Sequence, residues 1–155
     1  MKSLITFLVI IGMSISVTQA REVAVTMNKV SASGVGDALG VVVITETKSG
    51  LSLTPFLHGM QDGDYTFTIN EALSCQSAIS TSGISLPAMA AGNSLWRLPD
   101  MKVSDGMEGF ETINLTEVGF SDISRRSIVI SKRVDSTLGY TLGGDRIACG
   151  SLEQY

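Results

Sequence analysis

The chain has 155 residues, with 11 Lys and Arg against 15 Asp and Glu, for a formal net charge of −4. No cluster of Lys or Arg is longer than a pair such as Arg125–Arg126, far short of the concentrated positive face that phosphate binding needs, so nucleic acid is a poor candidate partner. The length suits one domain with one core, and 44% hydrophobic residues are enough to fill it.

Residues 1–20 read as a signal peptide. Lys2 supplies the basic start, Leu4 to Met13 is an apolar run too short to span a bilayer comfortably, and Thr18 and Ala20 are small residues where a signal peptidase reads. The competing reading is a membrane anchor. Cleavage after Ala20 leaves residues 21–155 as a single domain in the periplasm or the medium, with no further membrane segment. Losing Lys2 leaves ten basic and fifteen acidic residues, a net charge of −5.

Val23, Val25 and Met27 alternate with polar neighbours, which predicts a strand over Glu22–Val30. Gly34, Gly36 and Gly40 supply turn and bulge positions. Strands follow over Val41–Thr47 and Leu51–Leu57, joined by a hairpin turn at Lys48, Ser49 and Gly50. Asp62-Gly63 turns the chain into the most regular stretch, in which Tyr65, Phe67 and Ile69 alternate with Thr66, Thr68 and Asn70. Gln76–Leu98 is rich in Ser, Ala and Gly and has no sustained period; a connection that long is expected to be functional or a relic of function. Met101–Val103 begins another strand, Asp105-Gly106 turns it, and Phe110–Leu115 returns. Ser127–Ser131 is a short apolar strand, Arg133–Asp145 a second long polar loop, and Arg146–Leu152 the closing strand. Eight short strands with turn signals and no helix predict an antiparallel sandwich or barrel.

The two cysteines, Cys75 and Cys149, lie 74 positions apart. In an exported chain they suggest one disulfide, which would stabilise the fold by roughly 4 kcal/mol in the chain-entropy model; two unrelated buried thiols are the other reading. Few residues offer catalytic chemistry. His58 is the one histidine, in a turn and without companions. Met60, Met89, Met101 and Met107 could form a soft metal site but match no motif, and methionine usually fills cores. The serines of Ser80–Ser85 have no reason to meet His58 in a hydrolase triad. Asp62, Asp64 and Glu71 read as a solvated turn rather than a calcium loop. Asn114-Leu115-Thr116 fits a short glycosylation pattern. Trp96 stands out as an apolar loop residue expected at the surface, either a core plug or a binding hot spot.

Four stretches carry a resemblance. VTMNKVSASGVGDALGVVVITETKSGLSLTPFLHG (Val25–Gly59), DYTFTINEALSC (Asp64–Cys75), LPDMKV (Leu98–Val103) and RIACGSLE (Arg146–Glu153) resemble bacterial periplasmic copper-zinc superoxide dismutases over the whole mature chain. The resemblance implies an all-β, eight-stranded antiparallel Greek-key barrel with Cys75 and Cys149 as the family disulfide. It also implies losses. Where the family's copper strand reads Gly-Phe-His-Val-His, this chain has Thr66, Phe67, Thr68, Ile69 and Asn70, so Thr68 and Asn70 stand at two copper histidines. Ser131 stands at a third. The zinc subloop is missing between PAMAAGN (Pro87–Asn93) and RLP (Arg97–Pro99), with Arg97 at the family's aspartate. Arg146 matches the arginine that lines the family's copper channel; it could keep an anion pocket or hold backbone carbonyls.

Copper that cycles between oxidation states wants imidazole nitrogens, and Thr, Ser and Asn are poor substitutes. The expectation is therefore an exported superoxide dismutase-like protein without copper, zinc or other cofactor, not an enzyme. It would bind a protein or small-ligand partner through its loops, Trp96 among them, or inhibit an enzyme. The alternative is a superoxide dismutase or copper-binding protein of that family with a non-standard metal site. Oligomeric state is left open.

Overall fold

The computed structural model describes residues 20–104, 111–133 and 145–153. The signal segment, apart from Ala20, lies outside them, as do the Asp105-Gly106 turn, Phe110, Met107 and most of the Arg133–Asp145 loop.

The alternating stretches form strands. β1 (Glu22–Ser31), β2 (Gly34–Thr47) and β3 (Gly50–Leu57) make a meander of two hairpins. β4 (Gly63–Asn70) is the regular stretch, burying Tyr65, Phe67 and Ile69 on one face. The long segment that follows contains β5 (Ala78–Ile79), β6 (Ser85–Leu86), a 3-10 turn at Met89–Ala91 and β7 (Ser94–Arg97). β8 (Met101–Val103) and β9 (Ile113–Thr116) come next, then β10 (Arg126–Lys132) and β11 (Arg146–Leu152).

The main sheet runs β7-β4-β10-β11-β1-β2-β3-β9, with β8 also on β4. All of its pairings are antiparallel. β7 pairs with Thr68–Asn70 and β8 with Gly63–Tyr65, on the same strand and in the same direction, with a one-residue register shift between them. They are one strand broken at Leu98–Asp100, where Pro99 has no N–H to donate. Counting them as one leaves eight strands in the curled sheet, with Greek-key jumps from β3 to β4 and from β8 back to β9 beside β3.

The core lies inside the curl. Met27, Ile44, Leu53, Phe67, Ile69, Ile128, Ile130 and Leu152 are wholly buried there, each worth about 1.5–3 kcal/mol relative to exposure. Gly40 lets two strands approach: its φ is 140°, and a Cβ there would run into the Phe56 carbonyl.

Three expectations are corrected. The strand expected from Phe110 begins at Ile113. A one-turn helix, α1 (Phe120–Ile123), exists where none was expected; it buries Phe120 and Ile123, and its Asp122 carboxylate accepts from the Gly119 N–H at 2.8 Å. One turn is too short to show a 3.6-residue period, so hydrophobic spacing could not reveal it. Trp96 is not a surface loop residue. It sits on β7 opposite Ile69, half-buried against the core. Among the described residues, no helix is long and apolar enough to cross a membrane.

Candidate functional site

The period of β4 builds the site. With Tyr65, Phe67 and Ile69 turned to the core, Thr66, Thr68 and Asn70 face the other way. β10 lies beside β4 with Ser131 opposite Thr66, and β11 lies beside β10 with Arg146 opposite Ser131. The loop from Leu86 to Ser94 folds back over this polar face. The result is an open cleft of about 330 Å³ lined by Thr66, Thr68, Asn70, Ser131 and Arg146 from the sheet, with Met89, Ser94 and Asp145 at its rim. Three of the four positions matched to metal ligands thus share one cleft with Arg146, which the spacing of the sequence alone does not show. The fourth, Arg97, does not line it; its guanidinium turns to Asp100 at 3.0 Å on the surface.

Inside the cleft the polar groups bond to one another. The Thr68 hydroxyl reaches the Asn70 Oδ1 at 2.8 Å and the Val129 carbonyl at 3.3 Å. Asn70 is 1% exposed, and its Nδ2 donates to the Gly92 carbonyl at 2.9 Å. Arg146 donates from Nη2 to that same carbonyl at 2.9 Å and from Nη1 to the Ala88 carbonyl at 2.6 Å. Burial lowers the pKa of Arg146 from the usual arginine value. The ion pairs formed among the described residues are Arg97–Asp100 and Arg133–Asp100, so Asp145 does not pair with Arg146.

The disulfide pins the loop from the other side. Cys75 and Cys149 are bonded with a Cα–Cα distance of 5.6 Å, tying the end of the β4 region to β11. Cys149 is fully buried and faces Val129 and Asn28 across its two neighbouring strands.

Copper and zinc of the kind the fold family uses do not fit these residues. A redox copper centre wants several imidazoles. The cleft instead offers hydroxyls, an amide whose oxygen already accepts a hydrogen bond, one thioether on Met89 and one exposed carboxylate on Asp145. Arg97 brings a cation to the position of an anionic ligand. His58 is exposed on the turn after β3, and among the described residues no three His, Cys, Asp or Glu side chains gather as a metal site. Of the methionines read as a soft site, Met101 is buried, Met60 packs on the core and Met89 lies in the cleft, so they do not converge.

The sequence reading singled out neither Gly92 nor Glu71 as cleft-shaping residues. Glu71 accepts from both the backbone and the side-chain amide of Asn93, at 3.1 and 3.0 Å. The Gly92-Asn93 dipeptide was the available signal, since it marks a turn with a left-handed residue, and Gly92 has φ of 76°. The exposed apolar side chains of the long loop are Ile79, Ile84, Leu86, Met89 and Leu95, not Trp96. A second cavity of about 440 Å³ separates Asp100–Lys102 from Glu111–Asn114, where the two ends of the curled sheet face each other.

No family model matches the chain. Half of it is 46% identical over 77 residues to copper-zinc superoxide dismutase 2 of Salmonella typhimurium, a match that spans 44% of that relative. Copper-zinc superoxide dismutase 1 of the same organism is 28% identical over 166 residues, covering 91% of this chain and 92% of the relative. The monomeric copper, zinc superoxide dismutase from Salmonella enterica, solved in solution, superposes with a TM-score of 0.68 at 30% identity, over 86% of this chain and all (100%) of that one.

These comparisons overturn the expectation that the chain is not an enzyme, because the proteins it resembles are named superoxide dismutases, which are enzymes. That expectation rested on the residues at the metal-ligand positions, Thr68, Asn70, Arg97 and Ser131, on the missing zinc subloop, and on the count of one histidine, His58. These bear on how copper would be held, and do not by themselves decide what a cleft can catalyse. The eight-stranded curl, the disulfide and the relatives that span the chain make this protein a divergent member of the bacterial copper-zinc superoxide dismutase family.

Proposed function

We propose that this chain is an exported superoxide dismutase-family protein that gathers superoxide, or an anion of its size, at the cleft beside Arg146 through a non-standard set of groups; two superoxide anions and two protons give O2 and H2O2, one anion oxidised as the other is reduced, so the cleft itself supplies no electron. One observation carries the reading. Arg146 is half-buried in the cleft and bonded to two neutral carbonyls, and among the described residues no carboxylate pairs with it. A guanidinium has five N–H donors, so N–H groups remain beyond the two in use. A partly desolvated cation attracts a small anion more strongly than an exposed one does. The hydroxyls of Ser131 and Thr66 line the same space and can orient a diatomic oxygen species by hydrogen bonding. Kinship with enzymes named for this substrate supports the same reading. The donor set of the cleft does not suit copper or zinc.

The test is superoxide consumption by the purified mature protein, measured as isolated and after incubation with copper, alongside its metal content. Consumption above the spontaneous rate that falls in Arg146→Met supports the reading. A rate equal to spontaneous decay under both conditions ends it.

A second reading is favoured by the apolar rim. Ile79 and Ile84 are 75% and 61% exposed on the β5–β6 hairpin, and Leu86 and Met89 continue the surface to the cleft. Exposed apolar side chains clustered on a loop suit recognition of a protein or small ligand. Replacing Ile79 and Ile84 with serine is expected to abolish capture of such a partner from a periplasmic extract; capture at the unaltered level counts against this reading.

A further inference from the structure

The segment from Pro87 to Asn93 forms one wall of the cleft and belongs to no strand. Its backbone bonds are few: Ala91 N–H to the Ala88 carbonyl, Gly92 N–H to the Met89 carbonyl, Ala90 N–H to the Gln76 carbonyl, and exchanges with Glu71 and Ala72. Such a segment does not hold itself, yet Ala88 and Ala91 are completely buried. Ala88 and Ala91 pack in a small apolar cluster with Val30, Val129 and the Cys75–Cys149 bridge, and Glu71 accepts from Asn93, but the side chains that reach the segment's carbonyls are two, on two strands.

Asn70 on β4 and Arg146 on β11 meet at one atom. The Gly92 carbonyl accepts from Asn70 Nδ2 and from Arg146 Nη2, each at 2.9 Å, which uses both of its lone pairs. The second fork of Arg146 takes the Ala88 carbonyl four residues earlier. Asn70 is oriented in turn by the Thr68 hydroxyl on its Oδ1. The Gly92 site leaves no room for slack: a Cβ there would fall 2.6 Å from the Glu71 side chain. Two of the positions matched to metal ligands, Thr68 and Asn70, are thus already engaged, with the Asn70 oxygen accepting and its nitrogen donating.

We infer that Asn70 and Arg146 form a metal-independent clamp that converges on the Gly92 carbonyl and holds the cleft wall to the barrel. Side-chain hydrogen bonds replace metal coordination as the tie between β4, the loop and β11. The order of this wall then owes nothing to copper or zinc. The inference does not depend on what the cleft acts on.

Hydrogen exchange on the disulfide-bonded mature protein tests it, read at the amides of Ala90, Ala91 and Gly92, with β1–β2 amides as the internal reference. In Asn70→Leu and in Arg146→Met, the three loop amides are expected to exchange about tenfold faster or more, while β1–β2 protection is unchanged. In the unaltered protein the same amides are expected to exchange at one rate with EDTA, with copper sulfate and with zinc sulfate. Slower exchange on adding either metal, or faster exchange with EDTA, overturns the inference, because metal would then order the wall. Unaltered loop exchange in both variants also overturns it. So does loss of β1–β2 protection together with the loop in both, because the contribution would then be to global stability.

Discussion

The wall made by β1, β2 and β3 and the wall made by β4, β10 and β11 share one fold and one core but treat their outward faces differently. On β2, Val41, Val43 and Thr45 alternate with the buried Val42 and Ile44 and point to an open, half-exposed surface. On β4, Asn70 also points away from the core, yet it is 1% exposed because a loop covers it. Polar side chains on the first wall make isolated surface contacts, as Thr47 does to the Gly50 carbonyl at 3.0 Å and Thr54 to Thr112 at 3.0 Å. Those on the second must satisfy one another, and Thr68, Asn70, Gly92 and Arg146 do so as a connected set. A covered polar face is where a family's chemistry resides and also where a few substitutions change it most.

The core common to both walls should show the largest effect. Phe67→Ala empties a fully buried site on β4 and is expected to destabilise by about 3–5 kcal/mol in denaturant unfolding, whereas Phe56→Ala, on the exposed face of β3, is expected to stay within about 0.5 kcal/mol. Equal losses would mean that the two faces do not differ as described.

The disulfide belongs to the second wall alone. Replacing Cys75 and Cys149 together with alanine is expected to remove about 4 kcal/mol, measured as a lower denaturation midpoint with a steeper slope, because the unfolded chain without the cross-link expands.

Tyr65 marks the inner end of β4 and gives a pH signature. Its hydroxyl donates to the Gln61 carbonyl at 2.6 Å, and its pKa is raised from 10.0 by burial first and by the Asp62 carboxylate second. The folded-state pKa lies above the unfolded one, so this contribution is complete below pH 10 and is lost as pH rises through the folded value. The unaltered protein should lose stability more steeply above pH 10 than Tyr65→Phe, while near neutral pH the variant is expected to be less stable by about 1 kcal/mol. Parallel alkaline profiles would remove Tyr65 as the cause.

The smallest effect is expected at Arg97. Its pair with Asp100 is on the surface and lies outside the cleft, so Arg97→Ala should change stability by no more than about 0.5 kcal/mol in thermal melts and leave cleft binding unchanged. A large loss at Arg97 would place it with the covered set rather than with the solvated one.

Much of this was legible in the residues. The alternation of Tyr65, Phe67 and Ile69 located β4 and its buried face, and the Lys48–Gly50 turn located the first long hairpin. A pair of cysteines and no third pointed to the bridge that the structure contains. α1 was missed because a single turn has no period to read. Trp96 was misplaced because Gln76–Leu98 looked like one irregular loop, whereas its last residues pair with β4. That pairing is a long-range event that local composition does not signal.

The residues alone located the long strands and their buried sides and set the side-chain types available to the cleft, because strand period and side-chain chemistry are local properties; β5, β6 and β7 were not among those strands. Only the tertiary structure decided which of those residues meet. Asn70 and Arg146 are 76 positions apart in the chain and come to one carbonyl because β4, β10 and β11 are neighbours in the sheet. Hydrogen bonds of that kind depend on ångström-scale placement by the whole barrel, which no short stretch of residues encodes.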